Sequence, residues 1–513
     1  INISGDYDIN DFGITFNVGV DSRSDTFDQN GTRSTGQQVF NVLRHFNFEQ
    51  QNEIQFLEKR NIVGAFAQTE LDYNRWIYLT LAARKDWVSN LSEENRSIIY
   101  PSASASFIPT TLYPELKSDI ISFLKVRAGY GTSANFPFGY PIAATLNLDT
   151  QSFLRNGNYI ISNTSGSVLG NPNLKPERID EIEFGVEGRF FNNRLSLDLS
   201  IYNKKTNDLI INRPLDPSTG YTSTQTNIGL IENKGVELDL SFDWIQSNDG
   251  VNWNTSLNWS TNDAIVIDLG EDTDRIVYAG FGTLGNAAIP GESLGSIIGS
   301  SITRDTSIEN NRWLPGNLVV NNQGSYDATF DPTIIGDANP DWIANISNSV
   351  SYKNLSLNFL FNFQAGGDIY SATVATLLGR GVTTDTLDRE LSFILPGVNN
   401  GQPNTKQINN STFYYGNVLY GPDEMRMYDA SHWRLGEISL SYSLPQSLIE
   451  NTPFGNISFT ASGFNLFFDA INMPDGTNFD PNIAGVGVGN GRGFDFLNGP
   501  SAKRYGASIK LTF

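Results

Sequence analysis

The sequence contains no cysteine, which excludes disulfide frameworks, thiolate zinc sites and cysteine nucleophiles. It has only two histidines, His45 and His432, too few to argue for a histidine metal centre. Charged residues make up 17% and methionines number 3, a poor supply for surface helices. Positive charge is the scarcer sign: 34 Lys and Arg stand against 55 Asp and Glu, a net charge of −21. Nucleic acid is thereby excluded as a partner, because phosphate binding needs clustered Lys and Arg. There is no run of about 18 apolar residues, so no transmembrane helix is expected. A membrane barrel never shows such a run, since its apolar residues fall at every second position.

What is abundant points to strands. The chain carries 33 Phe, 20 Tyr and 47 Gly. The last residues alternate: Tyr505, Ala507, Ile509, Leu511 and Phe513 share one face, and Gly506, Ser508, Lys510 and Thr512 the other. Leu195, Leu197, Leu199 and Ile201 alternate with Ser196, Asp198 and Ser200. Val236, Leu238, Leu240, Phe242 and Trp244 alternate with Glu237, Asp239, Ser241 and Asp243. The same pattern recurs at 121–130, 251–259 and 355–364, in segments of roughly 9 to 14 residues. That length exceeds the usual soluble strand of about 5 or 6 and suits a tilted membrane strand of roughly 9 to 11. Trp76, Tyr78, Trp244, Trp253 and Trp259 lie near strand ends, where an interfacial girdle would sit.

The connections alternate between short and long. Short ones are DYNR (72–75), FNNR (191–194), SNDG (247–250) and YKN (352–354). Long loops are expected at about 23–60, 132–177, 207–232, 267–341, 367–433 and 469–501. Short turns at one end and long loops at the other are the outer-membrane arrangement. The expectation is an all-β chain, 1–513 forming about fifteen strands of a transmembrane antiparallel β-barrel. With the last strand running to the periplasm, the strand at 1–9 runs the same way, so an odd number of further strands is expected before Ile1. A closed barrel pairs its last strand with its first, which lets the chain stop on Phe513 without a polar tail.

Several motifs read more simply as structure than as chemistry. NPNLKPE (171–177) has two prolines fixing an extended entry into a strand. ENKG (232–235) starts another, with Gly235 where bulk is disfavoured. GVGVGNGRG (485–493) lacks the strand before and helix after that a dinucleotide site needs, and reads as an outer loop. DPN (480–482) and EDTD (271–274) could ligate calcium but lack EF-hand spacing, so no cofactor is expected. No Ser/His/Asp set or spaced carboxylate pair supports catalysis. Trp313, Tyr326, Tyr414, Tyr415, Tyr420 and Trp433 are the candidates for stacking on sugar rings or peptide side chains, with girdle or packing roles as the competing reading. Asp198, Glu237, Asp239 and Asp243 are expected to line a wet lumen whose field suits neutral or cationic cargo.

Taken in order, RNIVGAFAQTELDYNRWIYLTLAARKDW (60–87), FLKVRAGYGTSANFPFGYP (123–141), LGNPNLKPER (169–178), IENKGVELDL (231–240), the block at 336–370, WRLGEISLSYSLP (433–445) and KRYGASIKLTF resemble the SusC/RagA family of TonB-dependent outer-membrane transporters. The resemblance implies a 22-stranded Gram-negative outer-membrane barrel with an N-terminal plug, active import of a glycan or peptide, and no enzymatic activity. It further implies a TonB complex contacting a region before Ile1, a SusD-like lipoprotein lid, dimers of transporter–lid pairs, and a C-terminal signal on Tyr505, Ile509, Leu511 and Phe513 read by the barrel-assembly machinery. The signal, coupling box, plug and about seven strands of that pattern are absent from these residues. A siderophore or cobalamin receptor without a lid and a secreted all-β adhesin or glycan-degrading enzyme are the alternatives.

Overall fold

The computed structural model describes residues 1–155, 158–270, 273–305, 317–482 and 491–513. Fifteen strands hydrogen-bond in one open sheet, each beside its neighbour in the chain. They are β1 (Asn2–Ile9), β2 (Phe12–Gln37), β3 (Phe48–Tyr73), β4 (Ile77–Val88), β5 (Ser97–Phe107), β6 (Ile121–Asn135), β7 (Glu177–Phe190), β8 (Leu195–Asn207), β9 (Leu230–Ile245), β10 (Val251–Asp268), β11 (Trp342–Tyr352), β12 (Leu355–Ala365), β13 (His432–Ser443), β14 (Asn456–Ala470) and β15 (Arg504–Thr512). Expected short turns are present, several built on left-handed residues: Asn10, Asn74 and Arg75, Phe191 to Asn193, and Lys353 all have positive φ. Asparagine tolerates that region better than most side chains, and paired left-handed residues match the twist of antiparallel strands.

One expectation fails. Residues 23–60 are not a long loop: β2 and β3 stay paired from Phe12↔Tyr73 to Gln37↔Phe48. β1 covers β2 only as far as Gly19, and β4 covers β3 only from Ile62. The rest is a two-stranded ribbon with polar residues on both faces, so it lacks the apolar alternation by which strands are recognised. The other long connections carry small sheets of their own, among them Ile276–Gly280 with Gly285–Ala288, Ser296–Gly299 and Thr333–Asp337.

By compactness the chain forms two units, one of Ile1–Phe107, Arg127–Ile182 and Lys204–Leu230, the other of Ile108–Val126, Glu183–Asn203 and Ile231–Phe513. In the first, Glu177 is buried and accepts from Asn135 Nδ2 at 2.8 Å and the Ile210 amide at 2.6 Å, while Leu174 beside it is fully buried. NPNLKPE is therefore a structural clasp. Its strands expose Val18, Val20, Leu79 and Leu81, and Tyr73, Trp76 and Phe107 meet edge to face at the short-turn end.

The second unit repeats the inversion. Most of its buried apolar residues gather in the long connections, where Ile369, Val374, Leu378, Val418 and Phe479 pack together, while Leu440, Phe459, Ile509 and Leu511 on the strands lie open. Asp495, completely buried, accepts from Ser371 Oγ (2.8 Å) and the Thr373 amide (3.0 Å), tying the start of the helix Ala372–Gly379 to the last connection. At Gly235 a Cβ would meet the Tyr202 ring at 2.4 Å, which explains the glycine. Buried loops and exposed apolar strands reverse the distribution of a water-soluble sandwich and match a barrel whose strands face lipid.

Candidate functional site

Period two sorts the side chains of β9 to β14 into an apolar face and a polar face. Glu237, Asp239 and Asp243 share the polar face of β9, and Asp198 holds a polar position on β8. Asp239 accepts from Asn258, and Asp243 accepts from Asn254 Nδ2 at 2.8 Å. On the other face Trp244 and Trp253 lie 5.7 Å apart, with Phe242 against Trp244 at 4.6 Å. Farther along the sheet the polar face is mostly uncharged: Asn362 donates to Asn345 Oδ1 at 2.7 Å, and Ser441 meets Thr460 at 2.8 Å.

At the end of β13 nearest the long connections stands a buried polar cluster. Arg434, 7% exposed, donates to Asp480 at 3.1 Å and to His432 Nε2 at 3.1 Å. His432 Nδ1 in turn donates to the Ala430 carbonyl at 2.8 Å, which sets the neutral tautomer. Asn482, its amide oxygen turned to the guanidinium, accepts from Nη1 at 2.9 Å and Nη2 at 3.0 Å. DPN is thus no solvated loop: the Asp480 carboxylate is buried and taken up by an arginine. EDTD lies partly outside the described residues, as does most of GVGVGNGRG. No group of three acidic or histidine side chains placed for a metal occurs among the described residues.

Beside this cluster lies a cavity of about 450 Å³, lined by Asn345, Asn362, Gln364, Arg434, Glu437, Phe464, Asn465 and Asn482 among others. A smaller one of about 90 Å³ is lined by Arg380, Arg389, Asn410 and Tyr414.

The five aromatic candidates among the described residues are not assembled into one site. Tyr415 and Tyr420 meet at 5.0 Å on the surface, with the Arg380 guanidinium 6.0 Å from the Tyr415 ring. Tyr326 packs on the cluster of Val320, Leu395 and Ile408, and Tyr414 on Phe413 and the core around Val374. Burial raises the pKa of both phenols and so disfavours their ionisation, with Asp385 adding to the effect at Tyr414. Trp433 points away from Arg434, opposite Phe363 in register and 6.2 Å from Phe361 on the apolar face, as the competing girdle reading has it. Trp313 lies outside the described residues. Sequence reasoning missed His432, Arg434, Glu437 and Asn465; the available signal was two ionisable groups at every second position opening an otherwise uncharged strand face.

Residues 2–297 match the family model described as TonB dependent receptor-like, beta-barrel. The chain belongs to the TonB-dependent receptor β-barrel family. It is similar to TonB-dependent receptor P3 of Formosa agariphila, 26% identical over 480 residues, covering 89% of this chain and 46% of the relative. TonB-dependent receptor SusC of Bacteroides thetaiotaomicron is 24% identical over 383 residues, 72% of this chain and 36% of the relative. The chain thus spans about half the length of TonB-dependent receptor P3. In fold it is similar to the structure of the RagAB peptide transporter, with a TM-score of 0.75 and 21% identity over 100% of this chain and 55% of that one. Receptors of this family are outer-membrane transport proteins of Gram-negative bacteria, not enzymes. The open fifteen-stranded sheet is the barrel wall of such a receptor.

Proposed function

We propose that this chain is the C-terminal barrel portion of an outer-membrane importer that moves a bulky glycan or peptide into the periplasm. It would work with TonB and with a SusD-like surface lipoprotein closing over the long connections, in pairs that dimerise. The observation that carries the reading is the two-sided wall: apolar side chains open on one face, and a hydrogen-bonding face of Asn, Ser and Asp on the other. Lipid satisfies the first face, and a hydrated path for polar cargo satisfies the second. Fixed carboxylates along β9 disfavour anionic cargo and leave neutral or cationic cargo unopposed. Placement of Tyr505, Ile509, Leu511 and Phe513 along β15 and its end, all exposed, supports a role for them in recognition by the barrel-assembly machinery.

The test is extraction of the full chain from native outer membranes in detergent, mass spectrometry of whatever co-purifies, and uptake measured in a deletion strain. A stoichiometric lipoprotein and loss of uptake of one polymer are expected. A protein recovered from the soluble fraction without a lipoprotein, and unchanged uptake in the deletion strain, would sink the importer reading.

A further inference from the structure

The cavity of about 90 Å³ lies in the connection at 367–433, where the end of the helix Ala372–Gly379, the turn after it and the helical turns Asn410–Phe413 and Tyr414–Leu419 meet. Gly381, with φ of 71°, ends the helix in the left-handed conformation that glycine adopts most easily. Its carbonyl accepts from Arg389 Nη2 at 2.9 Å, and a Cβ there would stand 3.2 Å from that same nitrogen, so the guanidinium lies against the helix end. Asn410, which is buried, donates to the Asp385 and Asp388 carbonyls at 3.2 and 3.0 Å, and the Ser411 amide donates to the Arg389 carbonyl at 3.3 Å. The turn is thereby fastened to the helical segment, and Arg380, Arg389, Asn410, Ser411 and Tyr414 are held on one space.

The lining carries charge without counter-charge. Arg304, Arg426 and Arg434 of the same unit each pair with a carboxylate. Arg380 and Arg389 have no ion pair among the described residues, although acidic residues outnumber basic ones by 55 to 34 in the sequence. Among those residues Arg380 donates only to the Tyr420 hydroxyl, at 3.4 Å, with its guanidinium 6.0 Å from the Tyr415 ring, and Arg389 donates only to Gly381. A guanidinium has five N–H donors, so most of both sets are unspent. The Ser411 and Tyr414 hydroxyls likewise have no hydrogen-bond partner among the described residues, and burial together with Asp385 keeps the Tyr414 phenol protonated and able to donate. Asp385, Asp388 and Glu390 on the same turn are exposed and do not line the cavity. Basic side chains favour a helix C-terminus by themselves, but the Arg389 bond to Gly381 meets that need without a second arginine. Water can accept from each donor singly; an anion also answers the two positive charges, and an oxyanion matches the fork of a guanidinium with paired oxygens. The space is well below the roughly 300–1,000 Å³ of sites for drug-sized ligands, so it holds one small group.

We infer that this cavity binds a single oxyanion of the sulfate or phosphate kind, with Arg380 and Arg389 supplying the charge and the Ser411 and Tyr414 hydroxyls further donors. The bound ion ties the helix end to the turn and to the segment at 410–414. The inference does not depend on the importer reading. The full chain, purified in detergent, is titrated with sodium sulfate and sodium phosphate while sodium chloride holds the ionic strength constant, and hydrogen exchange is followed at 380–391 and 410–414. Exchange should slow along a saturating curve, and Arg380→Gln should move that curve about tenfold to higher concentration, roughly the worth of one charge-assisted hydrogen bond. Its one described bond is the long one to Tyr420, so the variant should leave the turn fastened by Asn410. Should that variant lose the structure of the connection, Tyr414→Phe keeps a ring against Phe413, reads the same site and should weaken binding severalfold. Sulfate also stabilises proteins by exclusion from their surface; that effect does not saturate and slows exchange alike in every variant. A response that does not saturate, or that is equal in the unmodified chain and both variants, overturns the inference. A sulfated glucose hexasaccharide competing with sulfate would place the group on a polymer, and its failure to compete would assign the free ion; both uphold the oxyanion site.

Discussion

Arg434 shows how a single residue joins a strand to a distant connection. Its guanidinium is buried with Asp480, 46 positions away, and with His432. Removing one partner of a buried pair leaves an uncompensated charge, at a cost of about 3–5 kcal/mol, more than the pair itself contributes. Arg434→Met should therefore make the connection at 471–482 protease-sensitive, and adding Asp480→Asn should restore part of the protection; equal protection in both variants would contradict the clasp. Asp368 provides a pH-dependent counterpart in the loop core. Burial first, then Asp429, Asp337 and Asp341, raise its pKa above the ordinary value of 3.8, against the Asp337 amide that donates to it. A carboxyl raised on folding contributes stability below its unfolded pKa and loses it as pH rises through the folded one. Hydrogen exchange at 368–371 should accordingly quicken from about pH 4 upward, and Asp368→Asn should flatten that rise; an identical profile in the variant would refute the assignment. DPN displays its acid in sequence but not its partner, which pairing across folded segments alone supplies.

Among the elements, the ribbon of β2 and β3 departs furthest from what its sequence suggests. Phe27 and Phe56 lie 5.9 Å apart on one of its faces, but among the described residues no third strand covers the ribbon beyond Val20 and Ile62. Two-stranded hairpins are marginal in water. Amides at 22–37 and 48–61 should exchange faster than those at 12–20, and replacing 25–60 by a two-residue turn between the paired Ser24 and Asn61 should leave the barrel's heat-resistant migration intact. Loss of that migration would mean that the ribbon supports the wall. The turns were far more legible: DYNR, FNNR and YKN mark where the chain turns, although the left-handed residues there include Arg75, Phe191 and Lys353 as well as Asn74, Asn192 and Asn193.

At the scale of the whole molecule, the exposed apolar strands pose the main test. Leu81 is 48% exposed at the middle of β4. In lipid, an arginine on a barrel's outer face near the midplane costs about 2–4 kcal/mol; in water, such a surface change is usually within about 0.5 kcal/mol. Leu81→Arg should lower the urea midpoint of the protein in lipid vesicles by a matching amount. An unchanged midpoint would place that face in water. The likeness to RagAB over the whole chain supports the same wall, while the two units share one feature seen in each separately: cores in the connections, apolar surface on the strands.

By itself the sequence determined the strand class, the number of sheet strands, most turn positions and, along strands without a bulge, which side chains share a face, because all of these follow from period two and from local turn chemistry. It also determined that β9 carries its carboxylates on the face opposite Trp244. Only the tertiary structure decided that Asp480 belongs to Arg434, that Trp433 turns away from the polar face, and that Gly436 and Asn465, at register shifts of β13 and β14, line a cavity with Glu437. Those facts depend on register between strands and on where long connections fold back. Neither is encoded within reach of a local pattern; both are settled by which buried groups find partners once the whole sheet has formed.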